Sequence, residues 1–417
     1  PLPFWRAFFI PESLDSDFFC SLFVRASMTH NFNTLRATWS FPTVIRFGAG
    51  MITLLPRACA EQGMSRPLLV TDPGLAGTPM VAAMLEDCRK AGLGAEIFSE
   101  VKPNPTGGNV EAGLKAFRAG KHDGVVVVGG GSAMDAGKVI AFMAGQSLPL
   151  WHFDDNGPGW KDAAPEGIAP IIAVPTTAGT GSEVGRAGVI VNEETHQKII
   201  IFHPKMLPAV VIEDPRLTIG LPPHLTAATG IDAFTHCLEA YCAPGFHPLA
   251  EGVAVEGMRL VKEYLPRAYK DGTDIEARGQ MLIAASMGAT AFQKGLGGIH
   301  SISHPVGALY DTHHGLTNAV VMPYVLAFNR PAVEDKIGRL AAFLGIAGGF
   351  DGFLDWVLGF RRDLGIPHTL AEIGVDAARA EEIAKYAAID PTAGSNPIPL
   401  DAAILQKLFE DAVAGRL

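Results

Sequence analysis

Four consecutive valines set the tightest limit on what this chain can fold into. Gly124-Val-Val-Val-Val128 is β-branched and apolar throughout, so neither face of a strand built from it can meet water. Such a run belongs in the middle of a parallel sheet with helices on both sides. It leads into Gly129-Gly130-Gly131-Ser132 and a stretch of helical period over residues 133–144. Upstream, residues 67–72 read as a buried strand closed by Pro73-Gly74. Residues 80–91 then read as a helix, 95–98 as a strand and 109–119 as an amphipathic helix. This alternation is the pattern of an open α/β sheet.

From about residue 220 the texture changes. Residues 225–243, 248–269, 274–292 and 333–344 are Ala-rich with helical period, and 352–364, 377–386 and 399–414 follow suit. The expected architecture is an α/β domain with a parallel sheet over residues 28–218, followed by an all-α domain over 219–417. A length of 417 residues suits two such domains. The first 27 residues are aromatic-rich but broken by Pro3, Pro11, Asp15 and Asp17, which spoils the apolar stretch of a secretory signal. Met28 is read as the natural start and residues 1–27 as an extension outside the fold.

Composition removes several function classes. With 48% hydrophobic and 18% charged residues, the chain is not intrinsically disordered. The net charge is −10 and no Lys/Arg-rich run occurs, so a nucleic-acid partner is not expected. No apolar stretch reaches the roughly 18 residues of a membrane span, so no membrane partner is expected either. Five scattered cysteines, Cys20, Cys59, Cys88, Cys237 and Cys242, suit core thiols in a reducing, cytoplasmic compartment.

Two loops suggest a nucleotide. Gly129–Gly131 lack Cβ atoms, so a pyrophosphate can approach their backbone at the N-terminus of the following helix; the same glycines also suit a tight strand–helix turn. A second loop, Pro175-Thr-Thr-Ala-Gly-Thr-Gly-Ser-Glu183, follows the apolar residues 171–174 and offers several hydroxyl donors, or simply caps a helix. Asp72 ends a strand where a carboxylate accepts hydrogen bonds from ribose hydroxyls and repels a 2′-phosphate, favouring NAD over NADP. It is equally a common residue before Pro-Gly.

The helical half carries the denser chemistry. Asp232 and His236 stand four apart on one helix face, His300 and His304 repeat that spacing, and His313-His314 follow. A carboxylate with several imidazoles suits a borderline divalent ion, Fe²⁺ or Zn²⁺. Cys237 points about 100° away from His236 around its helix, which disfavours a thiolate-rich zinc site.

These residues carry a resemblance. FPTVIRFGAG (41–50), VTDPGL (70–75), NPT (104–106), GGGSAMDAGK (129–138), PTTAGTGSE (175–183), GIDAFTHCLEAY (230–241) and GLGGIHSISHPVGALYDTHHG (295–315) resemble the iron-containing (group III) alcohol dehydrogenase family, of dehydroquinate synthase-like fold. The resemblance implies Asp232, His236, His300 and His314 as metal ligands, with Fe²⁺ ahead of Zn²⁺. It implies His304 beside the nicotinamide in proton transfer, and His313 behind the ligands. It places NAD at Asp72, Asn104, Gly130, Gly131, Ser132, Asp135, Thr176, Thr177, Thr180, Ser182 and Lys198. The implied reaction passes hydride between a metal-polarised alcohol oxygen's carbon and the nicotinamide, in a cleft between the two domains of a homodimeric enzyme.

Arg186 and Lys294 border the expected cleft and would suit a carboxylate-bearing substrate such as a hydroxy acid or its semialdehyde; either cation can instead face solvent or pair with an acid. A lyase resembling dehydroquinate synthase is a rival, but it calls for a Lys/Arg cluster grouped with the histidines, and residues 230–315 lack one. A non-enzymatic metal-binding protein is a third class, which has no need of the two nucleotide-type loops.

Overall fold

A computed structural model describes residues 41, 43–195 and 197–417. The expectations for residues 1–27, Met28 and Cys20 lie outside the described residues. The valine run becomes a central strand of a six-stranded, all-parallel sheet. In chain order the strands are β1 (Val44–Phe47), β2 (Pro67–Val70), β3 (Glu96–Phe98), β4 (Gly124–Gly129), β5 (Ile171–Pro175) and, after a separate antiparallel hairpin of β6 (Ala187–Asn192) and β7 (Gln197–Phe202), β8 (Val210–Glu213). The spatial order β1-β8-β5-β4-β2-β3 reverses between β2 and β4. That reversal point, at the carboxyl ends of the two strands, is where open α/β sheets bind ligands. Asp72 follows one strand and Gly129–Gly131 end the other.

Helices α1 (Leu55–Glu61) and α2 (Pro79–Lys90) cover one sheet face, while α3 (Gly107–Ala119) and α4 (Gly131–Met143) cover the other. β4 is buried along its whole length, as four valines require. Gly137 lets α4 press directly onto β4: a Cβ there would meet Val127 Cγ2 at 2.4 Å.

Beyond the sheet the described chain is helical: α5 (Pro223–Cys242), α6 (Pro248–Lys270), α7 (Ile275–Ala291), α8 (Gly298–Tyr310), α9 (His314–Phe343), α10 (Gly349–Asp363), α11 (Ala380–Ile389) and α12 (Ala402–Ala414). They share one large apolar core, into which α5 sends Ile231, Phe234, Leu238 and Tyr241. The sequence reading began a helix only at residue 333. In fact α9 runs for 30 residues through Pro323 and Pro331, because burial of its first half outweighs the missing N–H groups. No described helix is long and apolar enough to cross a membrane.

Candidate metal centre and cofactor cleft

Three helices bring the expected ligands together. α5 carries Asp232 and His236, α8 carries His300 and His304, and His314 is the first residue of α9. One ligand atom each from Asp232, His300 and His314 lies within 4.8 Å of the others, and His314 Nε2 is 3.8 Å from Asp232 Oδ1. His236 falls outside that tight group. Its ring stacks on His300 with centroids 4.7 Å apart and planes 21° from parallel. His304 stacks on His314 at 5.4 Å. His313 caps α9, its Nδ1 accepting the Leu316 N–H.

This donor set fits a divalent cation. Burial pushes His236 down to about 4 and holds His314 well below the ordinary histidine range, so both rings are neutral at pH 7 with lone pairs to give. The Nδ1 atom of His314 is buried without a hydrogen-bond partner. A buried carboxylate among imidazoles is the chemistry that holds Fe²⁺ or Zn²⁺.

Three polar residues that sequence reasoning passed over support the site. Glu239 Oε2 accepts the Nδ1 proton of His300 at 2.5 Å, and its Oε1 accepts the Ile299 N–H at 2.7 Å. Burial pulls His300 down, but the Glu239 charge and hydrogen bond outweigh it and the net shift is upward. The bond fixes the tautomer, leaving Nε2 as the lone-pair nitrogen. Asn318 places Nδ2 beside Asp232, His300 and His314. Asp390 Oδ2 lies 2.7 Å from His304 Nδ1, so the His304 Nε2 edge is left for the recess it lines. That recess, about 440 Å³, also takes in Asn156, Gln197, Lys198 and Tyr386. Glu239 and Asn318 were legible in principle: one lies seven residues after Asp232, the other four after His314, both on ligand-bearing helix faces. Asp390 gives no such signal, because it reaches the site from a turn 86 residues away.

On the sheet side the two glycine loops pack against each other. A Cβ on Gly131 would meet Thr180 Oγ1 at 2.4 Å, and one on Gly130 would meet Thr177 Oγ1 at 3.1 Å. Loop packing therefore demands these glycines in its own right. Gly130 caps α4 without a side-chain acceptor, which leaves the first-turn N–H groups available to an anion such as a pyrophosphate. Thr176 is buried and its N–H bonds the Gly129 carbonyl at 3.0 Å. Asp72 Oδ1 accepts from Gly74 and Leu75 N–H groups as a helix cap, while Oδ2 faces Gly129. Ser132 Oγ donates to the Pro103 carbonyl. Asp135 and Ser182, expected to meet the cofactor, meet each other. Ser182 Oγ donates to Asp135 Oδ1 at 2.6 Å and accepts from the buried Lys138 at 2.6 Å, while Asp135 Oδ2 accepts the Val189 N–H. Asn104 Nδ2 donates to Asp311 Oδ1 at 2.6 Å, tying the loop after β3 to the turn before α9. Lys198 is half-buried beside the recess, and desolvation lowers its pKa against the opposing charges of Asp135, Asp390, Asp232 and Asp311.

The two cations expected at the substrate lie elsewhere. Lys294 Nζ donates to Glu251 Oε1 at 2.6 Å and to the Tyr241 carbonyl at 3.2 Å, and its side chain is 2% exposed. Arg186 lies over the Phe202 ring at 5.6 Å. Ala187 pairs with Phe202 at one end of the hairpin and Val191 with Lys198 near the other, so Arg186 stands about 15 Å along the strand from Lys198. Its position after the threonine loop suggested the cleft, but it stands just before β6, at the end of the hairpin remote from Lys198.

Comparison with known proteins agrees with this architecture. Residues 42–215 match the profile described as iron-containing alcohol dehydrogenase, and residues 226–413 match the C-terminal profile of the Fe-containing alcohol dehydrogenase family. The chain is 38% identical over 381 residues to a 4-hydroxybutyrate dehydrogenase of Cupriavidus necator, covering 89% of this chain and 98% of that protein. It is 36% identical over 383 residues to a 1,3-propanediol dehydrogenase of Citrobacter freundii, covering 89% and 97%. A crystal structure of a 1,3-propanediol oxidoreductase superposes with a TM-score of 0.85 at 35% identity, over 91% of this chain and all of that one. With both halves matched in order, and Asp232, His300 and His314 gathered at one point, the chain belongs to the iron-containing alcohol dehydrogenase family and is an oxidoreductase of that type.

Proposed function

We propose that this enzyme interconverts a short alcohol and its aldehyde with NAD(H), in the recess beside His304. In this reading residues 28–218 supply the dinucleotide site and residues 219–417 the cation site. The observation that carries it is the convergence of Asp232, His300 and His314 within 4.8 Å next to a recess lined by His304 and Lys198. Asp232, His236, His300 and His314 hold the cation, Fe²⁺ first and Zn²⁺ second, with Glu239 fixing the His300 ring. When bound, the cation supplies Lewis-acid polarisation of the substrate oxygen. His304, oriented by Asp390, passes the hydroxyl proton outward through Nε2. The N-terminus of α4 with Gly130, Gly131 and Ser132 takes the pyrophosphate, Thr176, Thr177 and Thr180 line its path, and Asp72, Asn104 and Lys198 meet the ribose and nicotinamide side. Asp135 and Ser182 hold the loop in shape.

A second reading narrows the substrate to an ω-hydroxy acid. It is favoured by the 4-hydroxybutyrate dehydrogenase relative and by Lys198, which brings a cation to a recess otherwise polar with Asn156 and Gln197. A reducing cytoplasm and a homodimer complete the proposal; the former is supported by buried free thiols at Cys59, Cys88 and Cys237. The test is anaerobic reconstitution of stripped protein with Fe²⁺ or Zn²⁺, followed by NADH absorbance against neutral alcohols, diols, hydroxy acids and their aldehydes. Stoichiometric cofactor turnover is expected. Metal-loaded protein that turns over NAD(H) with none of them would refute the reading.

A further inference from the structure

Asn318 is fully buried and lies one helical turn beyond His314, so both side chains project from the same face of α9. Its Nδ2 stands 2.7 Å from Asp232 Oδ1, 3.1 Å from His300 Nε2 and 3.2 Å from His314 Nε2. Those three residues are the ones whose ligand atoms converge. An amide nitrogen carries two protons, so three acceptors compete for two donors. At the other end of the same amide, Oδ1 is buried with no partner.

Three inward lone pairs dictate this orientation, because a carbonyl oxygen in the same place would face only other acceptors. A divalent ion among those lone pairs inverts the preference. The N–H dipoles would then present their positive ends to a cation while the partnerless oxygen faced away. A half-turn about the terminal side-chain torsion, which is broad and soft in asparagine, exchanges the two.

We propose that Asn318 is an exchangeable member of the metal centre. Its NH₂ braces Asp232, His300 and His314 before the ion arrives, and on loading the amide turns so that Oδ1 faces the ion as a neutral oxygen donor. This deepens the proposed function and rests on its claim that these residues hold a divalent cation.

The test uses the full chain, stripped of metal, with Zn²⁺ and Co²⁺ titrated against a chromophoric chelator. Asn318→Leu keeps the shape without polar atoms, while Asn318→Asp keeps an inward oxygen and loses the donors. Asn318→Leu is expected to bind either ion about 10–100-fold more weakly. Its Co²⁺ absorption should intensify, as cobalt spectra do when a ligand is lost. Asn318→Asp is expected to bind at least as tightly as wild type, while its metal-free form melts at lower temperature because a second carboxylate faces Asp232. Asn318→Leu binding within twofold of wild type, or tighter, would overturn the proposal. If Asn318→Leu does not fold, Asn318→Asp decides: tenfold weaker binding overturns the proposal too. Wild-type protein that binds neither ion would overturn both this inference and the proposed function, whereas equal binding by wild type and Asn318→Leu removes only the inference.

Discussion

Replacing Asp390 by Asn tests whether His304 works as an oriented proton carrier. The Asp390 carboxylate is almost fully buried at the end of α11. Its Oδ2 meets His304 Nδ1 at 2.7 Å, and its Oδ1 accepts the Thr392 N–H at 2.9 Å and the Thr392 hydroxyl. Burial alone would raise its pKa, but the His304 charge and these hydrogen bonds outweigh it and the net shift is downward. An asparagine has one acceptor and one donor for positions that both receive protons, so either His304 or Thr392 loses its partner. A charge-assisted buried hydrogen bond is worth about 1.5–3 kcal/mol and a helix cap about 1. Asp390→Asn should therefore destabilise the protein by about 1–3 kcal/mol in denaturant unfolding at pH 7. Because the folded-state pKa lies below the unfolded one, this stabilisation is complete above about pH 4 and is lost as pH falls through the folded value. The wild-type and variant curves should accordingly converge in acid. With the imidazole free to turn, kcat should fall about 10–100-fold, within the range for losing an acid–base group. Metal affinity should change by less than about threefold, since Asp390 has no bond to Asp232, His300 or His314 among its hydrogen bonds. Stopped-flow NADH formation and chelator competition measure the two quantities separately. A variant with wild-type kcat, or one that loses metal in proportion to activity, would refute the argument.

Other outcomes follow from the same geometry. Glu239→Gln removes the charge behind His300 and should weaken Zn²⁺ or Fe²⁺ binding about 10–100-fold, read by chelator competition. Glu183 is buried near Glu213, with the Ser286 hydroxyl 2.5 Å from Glu213 Oε1 and 3.3 Å from Glu183 Oε1. Burial, then the Glu213 charge, push its pKa up to about 7. Its folded-state value lies above the unfolded one, so the protonated form stabilises the fold in mild acid and that contribution fades as pH rises to 7. Glu183→Gln should remove roughly 2 kcal/mol of the stability lost between about pH 5.5 and 8, measured by urea unfolding at both values. Arg186→Ala should leave the KM ratio of a hydroxy acid to a neutral alcohol within about twofold, whereas Lys198→Met should raise it about tenfold or more, as loss of a charge-assisted hydrogen bond does. Equal ratios for the two variants would discard Lys198 as the anchor.

The sheet was legible because its central strands are too apolar to be anything else, and the gathering of Asp232, His300 and His314 because the acid and the histidines stand in a few short motifs that resemble one family. What stayed hidden depends on tertiary packing. The hairpin of β6 and β7 was not read, and its register is what sets Lys198 at the end remote from Arg186. Proline at 323 and 331 masked the first half of α9, since local propensity counts the missing N–H groups but not the core that half buries into. Lys294 looked like a substrate cation because sequence places it beside the histidine motif; only the fold brings Glu251 to it from 43 residues away. Asp135 and Ser182 matched the expected pattern, yet their nearest partners are each other.

The bond between Asn104 and Asp311 has a mechanical meaning. Asp311 occupies the left-handed region at φ 54° as it ends α8, a conformation aspartate adopts more readily than most non-glycine residues, and three positions later the chain enters α9 at His314. Separating the nucleotide-side layer from the helical layer would require this bond to snap or the first turn of a 30-residue rod to be tugged with it. Any shift of the loop after β3 against the helical layer thus acts on the turn that leads into α9, and weakening this one contact would let the two layers move more independently.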